Sequence, residues 1–204
     1  MHSPINGDVL EERLRQQTQE YRALLADKRP LQAADALSSV LEPATRAFGA
    51  DSPRVLELRL DVAPARFLGG EFRKTRAEFD ALVSAFARVR GFADELTVQC
   101  RKFAADCRIE LGELTEALTG LRAVLDDVCA VQGDGSETAL ELRLALGRLL
   151  AHMGDRSEAC EVLDALYEDL LIVRGADDPL TGEVAAALER FGDDDPALVG
   201  EEWS

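Results

Sequence analysis

The chain has 204 residues, of which 47% are hydrophobic and 5% aromatic, and its formal net charge is −16. Leucine and alanine dominate the apolar part, which favours long packed helices over a β-sandwich. The acidic balance argues against non-specific binding to nucleic acid or to an anionic membrane, since both depend on neutralising phosphate. No apolar run approaches the ~20 residues of a membrane span, and the N-terminus lacks a signal pattern, so we expect a cytoplasmic location.

Nine helices are predicted along the chain. Asp8 is a candidate cap for the first, with Glu11 completing a capping box. Ser52 and the proline after it open the third helix, and Pro64 should kink that helix because proline removes one backbone hydrogen bond. The predicted ranges are about 8–27, 30–48, 53–68, 71–90, 94–111, 113–132, 136–153, 155–174 and 179–191.

The two ends of the chain differ from the helical middle. We expect residues 1–7 to be flexible, residues 8–191 to form one helical repeat domain, and residues 192–204 to form an acidic, disordered tail. The tail carries a lone tryptophan, Trp203, between two acids and the terminus. A tail that docks through Trp203 is the alternative to disorder.

Glycines recur along the chain with one fixed spacing of 42 residues. The first set is Gly49, Gly91, Gly133 and Gly175. The second set is Gly70, Gly112 and Gly154. A glycine that follows a helix supplies the left-handed residue that ends it at little cost, so two interleaved sets indicate an array of helix pairs.

Packing residues recur with the same period. Small residues occupy two phases twelve positions apart: Ala63, Ala105 and Gly147, then Thr75, Ala117 and Ala159. Bulky residues occupy two further phases: Phe79, Leu121 and Leu163, then Leu82, Val124 and Leu166. The small residues let two helices approach closely, and the bulky ones fill the space between neighbouring pairs.

This order of small, small and bulky positions resembles the tetratricopeptide repeat, and the long period is similar to the kinesin-light-chain type. The run from Arg143 to Gly147 also resembles the first helix of the variant abundant in actinobacterial regulators. The resemblance extends from Leu14 to Leu188. It implies an all-α fold, a right-handed superhelical α-solenoid of about four antiparallel helix pairs plus a C-terminal capping helix.

In proteins of this type the first helix of each pair lines a concave groove. The resemblance therefore implies a mixed apolar and charged set of inward-facing residues that could hold an extended or helical peptide. The set is Glu57, Leu60, Phe67, Gln99, Lys102, Asp106, Ile109, Glu141, Leu144, Arg148 and His152. The alternative is an ordinary solvated face. Grooves that grip a chaperone tail place an asparagine where this chain has Asp106, so such a receptor is not expected.

Three arginines precede the first small residue of each pair by four positions: Arg59, Arg101 and Arg143. They are either a structural ladder, with each guanidinium on a nearby acid or carbonyl, or a grip for phosphate or carboxylate on a partner. We favour the structural interpretation, because 39 acids offer many internal partners.

Catalytic and metal motifs are weak in this sequence. The four cysteines fall at helical spacing and are typical of small core residues, and neither CxxC nor HExxH occurs. His152 has no cysteine or serine at a recognisable spacing. We therefore expect no enzymatic activity and no cofactor.

These observations predict a module for protein–protein interaction whose partner is a protein or a peptide. The resemblance suggests the interaction region of a bacterial signalling protein, such as a serine/threonine kinase or a transcription regulator. The alternative is a self-associating structural module, for example a homodimer, without a peptide ligand.

Overall fold

Helices make up all the regular structure in the described part of the chain. The computed structural model describes the backbone of residues 4–192 and the side chains of residues 9–190. The chain divides into two compact units between Glu113 and Leu114. Unit 1 contains α1 (Pro4–Ala26), α2 (Pro30–Ser38), α3 (Leu41–Phe48), α4 (Pro53–Leu68), α5 (Phe72–Arg90) and α6 (Glu95–Glu110). Unit 2 contains α7 (Leu114–Gln132), α8 (Glu137–Met153), α9 (Arg156–Val173) and α10 (Pro179–Gly192).

Helices pack side by side in chain order within each unit, and α2 packs on α4 across the short helix α3. In unit 1, α1 packs on α2, α2 on α4, α4 on α5 and α5 on α6. In unit 2, α7 packs on α8, α8 on α9 and α9 on α10. Because short turns join these helices, neighbours run antiparallel, as the predicted helix pairs require.

The helix predicted over 30–48 is wrong, since it is two helices. The break falls at Ser39 and Val40, between α2 and α3. Pro43 explains it, because its ring would clash with the Ser39 carbonyl in a continuous helix and its nitrogen has no hydrogen to donate. The Ser39 hydroxyl donates instead to the carbonyl of Ala36 at 2.7 Å, which closes the end of α2.

Side chains cap the N-termini of four helices, α4, α6, α8 and α9. The Ser52 side chain accepts a hydrogen bond from the backbone N–H of Val55 at 3.4 Å, which confirms the predicted cap of α4. The predicted cap of the first helix is wrong, because α1 begins at Pro4 and Asp8 therefore lies within the helix rather than before it. The tail beyond Gly192, including Trp203, lies outside the described residues.

The repeated glycines adopt the predicted left-handed backbone. All seven have positive φ values, between 75° and 94°. One further residue shares this conformation. Lys28, with a φ of 57°, lies 42 residues before Gly70 and therefore occupies the corner of the first helix pair. The first pair has the same corner as the others, although its sequence lacks the glycine.

The residues selected by the 42-residue period form the cores of the two units. All twelve are buried: Ala63, Ala105, Gly147, Thr75, Ala117, Ala159, Phe79, Leu121, Leu163, Leu82, Val124 and Leu166. The same phases continue into α2 and the break after it, where Ala33, Leu37 and Val40 are buried and lie 42 residues before Thr75, Phe79 and Leu82. The packing pattern therefore extends through the first pair.

Gly147 marks the closest approach between α8 and α9. A Cβ atom placed on Gly147 would lie 2.5 Å from Cδ2 and 2.6 Å from Cγ of Leu163, which is itself fully buried. A methyl group cannot enter at this position without moving Leu163. Gly120, in the middle of α7, provides the contrast, because a Cβ atom there would meet nothing within 4 Å.

The same substitution should therefore have opposite effects at the two glycines. Gly120→Ala should raise the free energy of unfolding by about 0.5–1 kcal/mol, since alanine favours a helix over glycine by this amount. Gly147→Ala should lower it by about 1 kcal/mol, because overpacking costs about 1–3 kcal/mol and outweighs the helical gain. Urea denaturation of both variants measures these changes. An equal gain at both positions would contradict the proposed approach of α8 and α9.

Candidate functional site

The predicted inward-facing residues fall into three classes of exposure. Four are exposed: Glu57, Gln99, Glu141 and His152. Five are partly buried: Phe67, Lys102, Asp106, Ile109 and Arg148. Two are buried: Leu60, with 8% of its surface exposed, and Leu144, with 6%. The surface available to a partner is therefore more polar than the sequence suggested.

The two buried leucines belong to the cores rather than to an open surface. Leu60, on α4, packs in a cluster that includes Phe79 and Cys100. Leu144, on α8, packs in the cluster of unit 2 that includes Leu163. Their side chains are buried beneath the inner surface. A partner would therefore contact the exposed residues next to them.

In unit 1, the candidate surface lies on α4 and α6, and we call it the inner face of unit 1. It contains Glu57 and Phe67 from α4, together with the α6 row Gln99, Lys102, Asp106 and Ile109. Phe67 is held in place by an edge-on contact with Phe72, whose ring centroid lies 5.2 Å away. A partner would therefore meet a fixed aromatic edge beside charged groups.

Asp106 is the most perturbed acid on this face. The pKa of its carboxyl is raised to about 6, mainly by burial, while Lys102 lowers it and Glu110 raises it by smaller amounts. Both neighbouring charges are one helical turn away on α6. Because burial disfavours the charged form, the carboxylate of Asp106 is poorly stabilised near neutral pH.

The sequence analysis did not identify Asp61 of α4, which contacts α1 and has a perturbed carboxyl group. Tyr21 of α1 donates a hydrogen bond to the backbone carbonyl of Asp61 at 2.7 Å, close to the turn in which Pro64 lacks an N–H. Burial raises the pKa of the Asp61 carboxyl, Glu57 adds to the rise, and Arg22 opposes it. Tyr21 occupies a phase that holds a small residue in later pairs, so its contact depends on α1 being the first helix.

In unit 2, the candidate surface lies on α8, and Arg148 is already engaged there. Its guanidinium forms an ion pair with Glu183 of α10. Glu183 lies 42 residues after Glu141, so the repeat phase could have identified it from the sequence. Glu141 and His152 lie exposed on α8, before and after Arg148.

The three arginines at one repeat phase, Arg59, Arg101 and Arg143, which we call the arginine column, have internal contacts. The Nη1 atom of Arg143 lies 2.6 Å from Oδ2 of Asp169 on α9. Arg101 donates to the carbonyl of Phe92 at 3.3 Å, and its guanidinium lies 5.9 Å from the centre of the Phe92 ring. Arg59 is close enough to Cys100 to affect the pKa of its thiol. These contacts support the structural interpretation of the column.

The cysteines of α6 are poor candidates for chemistry. Cys100 and Cys107 are fully buried in unit 1, and burial raises the pKa of each thiol to about 12. Such thiols remain protonated at neutral pH and are weak nucleophiles. Among the described residues, no group of three or more His, Cys, Asp or Glu residues is arranged to hold a metal ion. No described helix is long and apolar enough to cross a membrane.

Asp106 should make stability depend on pH. The pKa of its carboxyl is raised from 3.8 to about 6 in the folded chain, so its favourable contribution is present below about pH 4 and is lost as pH rises through 6. Asp106→Asn stays neutral and should be more stable than the unaltered chain by about 1–3 kcal/mol near pH 8, with no gain near pH 4. Denaturation at both pH values tests this. A gain that is the same at both would show that charge is not its cause.

Comparison with known proteins identifies the fold. No protein-family model and no curated protein matches the chain. A solved structure of nearly identical TPR-like repeats, from a kinesin-light-chain-type protein of Podosopora anserina, is similar with a TM-score of 0.75 at 18% identity. The similarity covers 88% of this chain and 85% of that one, and a variant of the same repeats gives 0.76 over 88% and 84%.

The structure of BtubC (BKLC) from P. vanneervenii is similar with a TM-score of 0.65 at 15% identity, over 81% of this chain and 67% of that one. Likeness at such low identity concerns the fold. The chain therefore has the all-α, TPR-like solenoid repeat fold found in kinesin light chain proteins, as the sequence predicted.

Proposed function

We propose that this chain is a protein–protein interaction module, which binds a peptide or a helical segment of a partner on the inner faces of its first helices. One observation carries the proposal: the twelve periodic packing residues are all buried, so the exposed residues at the inner positions are not needed for the core. Exposed side chains on a rigid scaffold commonly serve recognition. The fold is consistent with this role, although that argument is an analogy.

The chemistry of the inner face of unit 1 suits a peptide. A peptide presents backbone groups, apolar side chains and charges together, and the face offers the edge of Phe67, the side chain of Ile109 and the charges of Lys102 and Asp106. Recognition by a few anchoring side chains on a rigid helical surface is how helical grooves bind peptides. The rigidity comes from the buried packing beneath the face.

A residue set that shares one repeat phase provides the test. Glu57, Gln99 and Glu141 are all exposed at the same position of successive pairs. Replacing all three with alanine should weaken binding to partners captured from cell extract by about tenfold, which corresponds to about 1.4 kcal/mol. Thermal stability should not change, because exposed residues away from the core contribute little to it. Calorimetry with a captured partner measures both the affinity and its change.

The matched control is on the second helix of a pair in unit 2. Glu161, Asp164 and Glu168 of α9 are exposed acids, and their replacement with alanine removes three negative charges against two in the test set, yet it should leave binding within about twofold. An equal loss from both sets of substitutions would indicate a general effect of charge rather than a binding face.

We also propose that the module belongs to a larger signalling protein. The run from Arg143 to Gly147 resembles repeats of actinobacterial regulators, which supports the interaction region of a bacterial signalling protein such as a serine/threonine kinase or transcription regulator. The test is the gene itself. A gene that encodes this chain alone, without a kinase or DNA-binding domain, would refute this setting and leave the binding role intact.

Self-association is the second candidate function, and the end of α9 favours it. Ile172 is 83% exposed, Leu171 and Val173 are also exposed, and Val131 at the end of α7 is 74% exposed. Exposed apolar side chains that follow one another, as Leu171, Ile172 and Val173 do, are typical of contact surfaces. Light scattering that shows a dimer, together with its dissociation by Ile172→Glu, would favour this function over peptide binding.

A further inference from the structure

The net charge of the chain is concentrated in unit 2. Unit 1 has 17 basic and 18 acidic residues, whereas unit 2 has 6 basic and 21 acidic residues. Two second helices show the same difference, since α5 has five basic and two acidic residues and α9 has one basic and five acidic residues. Two helices of the same chain therefore have opposite charge.

The outer face of α9 is the side opposite its buried residues. Glu161, Asp164 and Glu168 lie on it at helical spacing, and all three are exposed. None of them has a hydrogen bond or an ion pair with a residue that the structure describes. Arg122 of α7 reaches α9 but pairs with Glu158 instead. Like charges three or four residues apart destabilise a helix, so these three carboxylates are an unfavourable arrangement that an external cation relieves.

The outer face of α9 ends in exposed apolar side chains. Leu171 and Ile172 follow Glu168 by three and four residues, and 38% and 83% of their surfaces are exposed. Arg174 lies just beyond them, but it pairs with Glu137 at the start of α8, with its Nη2 atom 3.5 Å from Oε1. A partner for this face would therefore offer cations together with apolar surface.

The outer face of α5, opposite its own buried residues, has the complementary character. It carries Arg73 and Arg88, with the exposed small residues Ala77, Ala81 and Ser84 between them. Small side chains allow another helix to approach closely, and the aliphatic stems of the arginines provide apolar surface beside their charges. This face therefore offers both kinds of contact that the outer face of α9 lacks.

The arginines of this face are available for a new contact. Arg73 has no hydrogen bond to another side chain and no ion pair within the described part of the chain. Arg88 pairs with Asp51 at 3.4 Å, but both side chains are about two-thirds exposed, and such a pair contributes little to stability. Asp80, an acid on the same side of α5, is already paired with Arg108 of α6.

We propose that the outer face of α9 in one molecule binds the outer face of α5 in a second copy of this chain. The inference deepens self-association, the second candidate function, and rests on it. Contact of α9 with α9 is disfavoured, because three acids would then face the same three acids. Contact of α9 with α5 brings carboxylates to guanidinium groups and covers the apolar end of α9.

Charge reversal on each face, followed by mixing, tests this contact. Variant A has Glu161→Lys, Asp164→Lys and Glu168→Lys, and variant B has Arg73→Glu and Arg88→Glu. Each variant alone should show a dissociation constant for self-association at least about tenfold higher than the unaltered chain, because like charges would meet. An equimolar mixture should return to within about threefold of the unaltered chain, since both contacts of the mixed pair again join opposite charges. Sedimentation velocity over a concentration series measures these constants.

A control variant reverses three exposed acids of unit 1 that lie outside both faces, with Asp35→Lys, Glu95→Lys and Glu110→Lys. It changes the net charge as much as variant A does and should leave the dissociation constant within about twofold. Exposed substitutions have little effect on stability, so circular dichroism should show the native helix content in all three variants.

Four results would overturn the inference. A dimer that persists in variants A and B would keep self-association but assign it to other surfaces. An equal loss in the control would indicate a general effect of charge. A mixture of A and B that stays monomeric would show that these two faces do not meet. An unaltered chain that is monomeric at every concentration would remove self-association and this contact together, while peptide binding on the inner faces would stand.

Discussion

Close approach of paired helices at small residues is the constraint on which the rest of the structure depends. Where Gly147 faces Leu163, there is no room for even one additional methyl group. The same phases hold alanine or threonine in other pairs, and every one of them is buried. Dense contact at these positions stabilises the fold through dispersion and the burial of apolar surface. It also fixes the distance at which the bulky residues of the next helix can pack.

This packing also decides which side chains remain available for recognition. Each core takes its bulky residues from the second helix of a pair and one side of the first helix. Leu60 and Leu144 are drawn into that core, although their positions on the helices had predicted an inner surface. The inner faces that remain are polar, rigid and interrupted by single apolar groups. Such a surface favours selectivity through a few charged contacts over broad apolar adhesion.

The sequence predicted the helices and their cores well because both depend on local or periodic signals. Capping residues, glycines and the 42-residue period are all visible along the chain. The break at Ser39 was missed because Pro43 lies in an otherwise helical pattern, and its clash with the preceding turn was not considered. The raised pKa of Asp106 was not predictable, since it depends on how deeply the packed helices bury one carboxyl group.

Lys28 has a wider consequence for how arrays of this kind are counted. It adopts a positive φ at a corner where later pairs use glycine, and the buried residues of α2 continue the same phases. The corner thus has the same geometry with lysine, although glycine adopts it at lower cost. A census of repeats that relies on glycine spacing alone would omit the opening pair and assign the array too late a starting point. Related chains could therefore contain more pairs than their glycine patterns reveal, with their terminal units the least recognisable.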